Sequence, residues 1–206
     1  MYLNKYLTGS ATADGGGTLV LQEACICKEK NDEETQVILA AVFSEHDKLQ
    51  HDLAVEIGEW FQNVLVPMIK KNGPDSLINV CIEGLGRKGF SDRINETDYV
   101  CIILAGDSAA LFKSGHTVGI YCVEELFGKP VTVPMEPGNA GIMVDIESGG
   151  AIVLTDKDMT GDKFFTENIA AGISGITDEK ALEKFMREIA VHEDISCKSV
   201  VGVRFC

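Results

Sequence analysis

The chain is short of positive charge, of long apolar runs and of paired cysteines, and each shortage removes a class of function. Only 18 Lys and Arg face 32 Asp and Glu, a formal net charge of −14. A surface of that sign does not neutralise phosphates, so neither nucleic acid nor an anionic membrane is expected as a partner. No unbroken apolar stretch is longer than Val37–Phe43, far below the roughly 20 residues that span a bilayer. Residues 1–17 carry no apolar core of a secretory signal, and the expected location is cytoplasmic. Cys25, Cys27, Cys81, Cys101, Cys122, Cys197 and Cys206 include no C-x-x-C pair, and most lie within apolar stretches. They read as reduced core residues, not as disulfides, zinc ligands or redox centres. No arginine precedes Arg87.

What is present is an ordinary globular composition, 45% hydrophobic and 24% charged over 206 residues, which suits one domain, residues 1–206, with a core that needs no covalent staples. Ala24–Cys27 and Thr35–Phe43 read as strands flanking the charged turn Lys28–Glu34. From Ser44 the apolar period changes. Leu49, Leu53, Ile57, Trp60, Phe61, Val64, Leu65 and Met68 recur at three and four, which predicts a long helix kinked near its end by Pro67. Ser44 is the expected N-cap, with Asp47 completing a capping-box-like arrangement. After the stop Asn72-Gly73-Pro74, Leu77, Ile78, Cys81, Ile82 and Leu85 mark a shorter helix.

Tyr99–Leu104, Ser108–Lys113 and Thr117–Cys122 read as consecutive strands of a meander, followed by strands at Val131–Val133, Ile142–Ile146 and Ala151–Leu154. Helices are predicted over Thr160–Ile173 and Asp178–Val191, the second with Leu182, Phe185, Met186 and Ile189 on one side. A last strand, Ile195–Phe205, is expected to face the core on one side and be partly wet on the other. Strands in runs with helices grouped together predict an α+β fold, an antiparallel β-sandwich flanked by helices.

Two short motifs fail their context tests. Gly84-Leu-Gly86-Arg-Lys-Gly89 matches G-x-G-x-x-G, but it follows a helical pattern and opens no packed helix, so a dinucleotide is not expected. His46 and His51 are five apart and are expected to diverge around a helix, unlike the pair in H-E-x-x-H.

Four segments in order and spacing resemble the protein phosphatase 2C family, the metal-dependent serine/threonine phosphatases, most closely its bacterial members. They are Val37-Ile-Leu-Ala-Ala-Val-Phe-Ser-Glu-His46, Ala105-Gly-Asp-Ser-Ala109, Ala151-Ile-Val-Leu-Thr-Asp-Lys157 and Glu193-Asp-Ile-Ser196. The resemblance implies a β-sandwich between helix pairs, with carboxylates at one end holding two Mg²⁺ or Mn²⁺ ions that activate a water toward a phosphoserine or phosphothreonine. It also shows departures at the chemical positions. The bridging aspartate falls on Ser44, followed by Glu45; the acid of threonine-aspartate-glycine is kept as Asp156, but Lys157 follows it; aspartate-asparagine becomes Glu193-Asp194. The turn Gly106-Asp107-Ser108 survives without its arginine, and Leu19–Ala24 keeps only Glu23 of the N-terminal site.

The candidate metal positions are therefore Asp156, Glu193 and Glu45, with Asp107, Lys157 and Asp194 beside them. Lys157 is a candidate replacement for a metal through pairing with Asp156 and Glu193. The expectation is a pseudophosphatase without cofactor that binds a protein or phosphoprotein partner. The alternative is an active Mn- or Mg-dependent phosphatase in which Glu45 reaches the vacant slot, and a plain scaffold is a third reading.

Overall fold

The computed structural model describes residues 6–27, 34–85, 93–94, 96–106, 108–137, 141–144 and 149–206. Two antiparallel five-stranded sheets stack face to face. The first runs β1(Tyr6–Thr12), β10(Ser199–Phe205), β9(Ala151–Thr155), β6(Gly119–Leu126), β7(Lys129–Pro134) in spatial order. The second runs β2(Leu19–Cys27), β3(Glu34–Phe43), β4(Tyr99–Ala105), β5(Ser108–Ser114), β8(Ile142–Val144). Helices α1(Lys48–Trp60), α2(Val66–Asn72) and α3(Leu77–Leu85) cover the second sheet; α4(Lys163–Ile173) and α5(Glu179–Val191) cover the first. The result is the expected α+β sandwich with helices outside both sheets. Among the described residues no helix is long and apolar enough to cross a membrane.

The layering explains the apolar runs. Ile38, Ala40 and Val42 of β3 point between the sheets, while Val37, Leu39, Ala41 and Phe43 point under the helices. Strand β4 divides in the same way, so neither central strand has a wet face and neither alternates with polar residues.

Several sequence expectations are corrected. Strand β5 does not continue into a meander, because β6 joins the other sheet beside β9 and β7. Strand β10 begins at Ser199, and its supposedly wet side lies under α5. Gly9 and Gly202 are cross-strand partners. A Cβ on Gly9 would lie 2.8 Å from the Glu183 backbone nitrogen, and one on Gly202 2.9 Å from the Met186 sulfur. This glycine pair is the groove that lets α5 settle onto the sheet. Strand β1 went unread because its sequence, Tyr-Leu-Thr-Gly-Ser-Ala-Thr, is small and polar after its first two residues.

The helical N-cap is Asp47 and not Ser44. Its carboxylate accepts the Gln50 N–H at 2.7 Å, and the Gln50 side chain accepts the Glu45 N–H at 2.8 Å. The expected kink at Pro67 takes the form of a π turn, Phe61–Leu65, between α1 and α2. The proline has no N–H to donate to the carbonyl four residues earlier, and the wider turn relieves the clash of its ring with the preceding turn. His46 lies in the turn before α1, and its ring approaches that of His51 edge-on at 6.5 Å, so the two do not diverge.

Candidate functional site

Two of the segments that the sequence singled out, the end of β3 at Ser44-Glu45 and the close of β9 at Asp156-Lys157, meet at one end of the sandwich. The turn after Ala105 lies at the opposite end, where Ala105 pairs with Val37. Asp156 is 1% exposed. One carboxylate oxygen accepts the Gly17 N–H at 3.0 Å and the other the Lys198 N–H at 2.9 Å. A carboxylate at such depth requires partners of this kind, and main-chain amides supply them without a second charge.

The Gly17 amide is delivered by the loop between β1 and β2, Ala13–Thr18, and the Lys198 amide by the segment entering β10. Ala13 N–H donates to the Lys198 carbonyl, Thr18 N–H to the Glu45 carbonyl, and the Ser199 hydroxyl to the Gly17 carbonyl at 3.0 Å. A Cβ at Gly17 would overlap the carbonyl oxygen of Phe43, and one at Gly16 the Ser199 hydroxyl. Only glycine lets the loop run this close to β3 and β10. The signal available in the sequence was the run Gly15-Gly16-Gly17 ahead of a strand. Lys198 adds a second tie: its ammonium donates to the carbonyls of His192 and Ile195, fixing the turn that carries Glu193 and Asp194.

Beside this tie lies a cavity of about 460 Å³ lined by Ser44, Glu45, Asp47, Gln50, Glu96, Asp98, Thr117, Asp156 and Lys157, among others. Of the sequence candidates, Glu45, Asp156 and Lys157 share it. Glu45 and Lys157 are exposed, and among the described residues Lys157 forms no ion pair. Glu193 and Asp194 are exposed on the α5–β10 turn and do not line the cavity. Asp107 lies outside the described residues. Among the described residues, no group of three His, Cys, Asp or Glu side chains is placed to hold a metal ion.

Asp98, which the sequence reading passed over, organises the cavity wall. Its carboxylate accepts the Thr117 N–H at 2.9 Å and the Thr117 hydroxyl. Burial pulls its pKa upward, but those two bonds, one from the His116 backbone and the nearby His116 side chain outweigh it and hold the group below its ordinary value. Gly115, at φ +81°, completes the same turn, where a Cβ would overlap Asp98. Cys197 is buried next to Asp156, and burial first, then the neighbouring carboxylate, push its thiol up to about 12. It is an unreactive core thiol at neutral pH.

No protein-family model matches the chain, and no curated protein sequence matches it significantly. Solved structures do. PppA, a key regulatory component of T6SS in Pseudomonas aeruginosa, is 9% identical with TM-score 0.60, over 99% of each chain. A serine/threonine phosphatase of S. agalactiae is 9% identical with TM-score 0.60, over 97% of this chain and 99% of its own. The SiaA-PP2C domain of Pseudomonas aeruginosa is 12% identical with TM-score 0.51, over 98% and 85%. With the stacked sheets, outer helices and strand order described above, these likenesses establish that the chain has a bacterial protein phosphatase 2C-like fold.

Proposed function

We propose that this domain, residues 1–206, is a pseudophosphatase: it keeps the phosphatase fold, lacks the metal-dependent reaction and acts by binding a protein or phosphoprotein partner. The observation that carries the reading is the carboxylate of Asp156, with both oxygens accepting main-chain N–H groups from Gly17 and Lys198. The acid retained from the family pattern acts here as a clasp for the β1–β2 loop.

The rest of the donor set points the same way. A dinuclear Mg²⁺ or Mn²⁺ centre needs several carboxylates to offset two close cations. Here the bridging slot is the Ser44 hydroxyl, Glu45 is exposed, and Glu193 and Asp194 lie outside the cavity. These residues do not fit such a centre. Around the cavity, Glu45, Asp47, Glu96, Asp98 and Asp156 face one ammonium, Lys157. That balance repels a bare phosphate ester and favours recognition of a partner through protein surface.

The competing reading, a phosphatase with a non-standard site, draws on Glu45 and Asp156 lining one cavity. Calorimetric titration with Mn²⁺, together with p-nitrophenyl phosphate and phosphopeptide hydrolysis with and without Mn²⁺, decides between them. The expected result is no Mn²⁺ binding and no Mn²⁺-dependent turnover. Saturable binding accompanied by turnover that EDTA removes would overturn the proposal.

A further inference from the structure

The hairpin β6–β7 leaves the body of the protein. Strand β9 pairs with β6 only over Gly119–Val123, whereas β7 pairs with it as far as Leu126. Glu124–Val131 is thus a two-stranded ribbon running past the sheet. Its tip is a two-residue turn in which Phe127 has φ +53° and Gly128 φ +75°. Hairpin turns of this hand favour Asn, Asp or Gly at the first position. Phe127 is the one described non-glycine residue with positive φ, and its side chain is fully exposed. It contributes to folding neither through its backbone nor through burial.

One ribbon face carries the parity that points between the sheets nearer the core, where Ile120 is buried. On the ribbon that parity gives Glu124 opposite Val131 and Leu126 opposite Lys129, with Cys122 opposite Val133 below them. Leu126 and Val133 are exposed there, so the second sheet does not reach over this face. Edge-to-edge strand addition is blocked. In the register set by the two-residue turn, residues 130, 132 and 134 turn their backbone outward, and two of them, Pro130 and Pro134, have no N–H. Association through the ribbon must therefore use its face.

That face is complementary to itself. Glu124 and Lys129 stand at opposite corners of a four-residue patch, and neither is ion-paired among the described residues. A two-fold axis lying in the contact plane, across the Glu124–Lys129 diagonal, sets each Glu124 against the Lys129 of the other copy. The same axis stacks Leu126 and Val131 near their own mates. Such pairing of an acid and a base about an apolar centre is what an isologous interface requires. We propose that the ribbon face is the contact of a closed two-fold dimer of this chain, with Phe127 extending its apolar area.

Sedimentation velocity on the full chain from about 5 to about 300 µM, a range suited to a small interface, is the test. A reversible monomer–dimer equilibrium is expected. Glu124→Lys or Lys129→Glu alone should raise the dimer dissociation constant about tenfold or more, and the double reversal should return it to within about threefold. Phe127→Ser should also weaken the dimer, with circular dichroism unchanged. A chain monomeric throughout, assembly beyond a dimer, insensitivity to the single variants or failure of the double reversal to restore would each overturn the proposal.

Discussion

The two ends of β6 use their side chains in opposite ways. At its start, beside Gly119 and its partner Thr155, the neighbouring Asp156 is buried and satisfied by backbone, drawing β1, β9 and β10 together. At its far end Phe127 sits in water in a backbone conformation unfavourable to it. The contrast separates residues kept for the fold from residues whose presence the fold does not explain. By that measure the Asp156 end contributes stability, and the ribbon end is where a function apart from stability is to be sought.

The largest effect that could break this contrast is at Asp156. Replacing it by alanine strands two N–H groups, a buried one on Gly17 and a part-buried one on Lys198, and removes two bonds to a charged acceptor. The expected loss is about 3 kcal/mol in denaturant unfolding. A residue serving mainly in a cluster of mutually repelling acids would behave differently, and its removal would leave stability unchanged or raised. A neutral or stabilising Asp156→Ala would therefore dissolve the distinction between the two ends.

Phe127 is the counterpart, with a smaller effect of opposite sign. Phe127→Asn relieves a left-handed strain of roughly 1 kcal/mol and removes no buried contact, so the thermal midpoint should rise. A fall would show that the ring supports the fold after all. The same substitution should weaken dimer formation, so stability and association should move in opposite directions at this one position.

How much of this was legible in the sequence follows from the range of each interaction. The central strands, the helix pairs and the sandwich class rest on apolar spacing within a single segment, and Val37–Phe43 or Leu182–Ile189 show it directly. The clasp does not, because Asp156 and Gly17 are 139 positions apart. No local rule links an acid at a strand end to a distant glycine run. Strand β1 was missed for a related reason: its place at the sheet edge depends on β10 and on the Gly9–Gly202 groove under α5, not on its own hydrophobicity. Asp47 replaced Ser44 as cap because the chain spends three more residues turning out of β3, where the Ser44 N–H is already given to Asp98. The hairpin was legible as two strands, but the failure of β9 to follow β6 to its tip is a property of the register between strands.

The smallest effect belongs to Asp98, between the two ends on the cavity wall. Its bonds to Thr117 and His116 favour the ionised form, and its folded pKa lies below its ordinary value. A carboxylate depressed in this way contributes stability above its unfolded pKa of about 3.9, and the contribution fades as the pH falls through that value toward the folded one. Asp158, an exposed residue, is depressed too: partial desolvation raises its pKa, but bonds from Thr160 and Tyr121 and the Lys113 charge outweigh it, and it acts in the same direction. A single variant is needed to isolate Asp98. Asp98→Asn should lower the thermal midpoint by a nearly constant margin between about pH 5 and 7, and the margin should close below about pH 4. Because the group is only partly buried, the margin should also shrink in high salt. A margin that widens on acidification would mean that the Thr117 turn is held by a protonated Asp98, and the cavity wall would then belong with the titrating groups and not with the clasp.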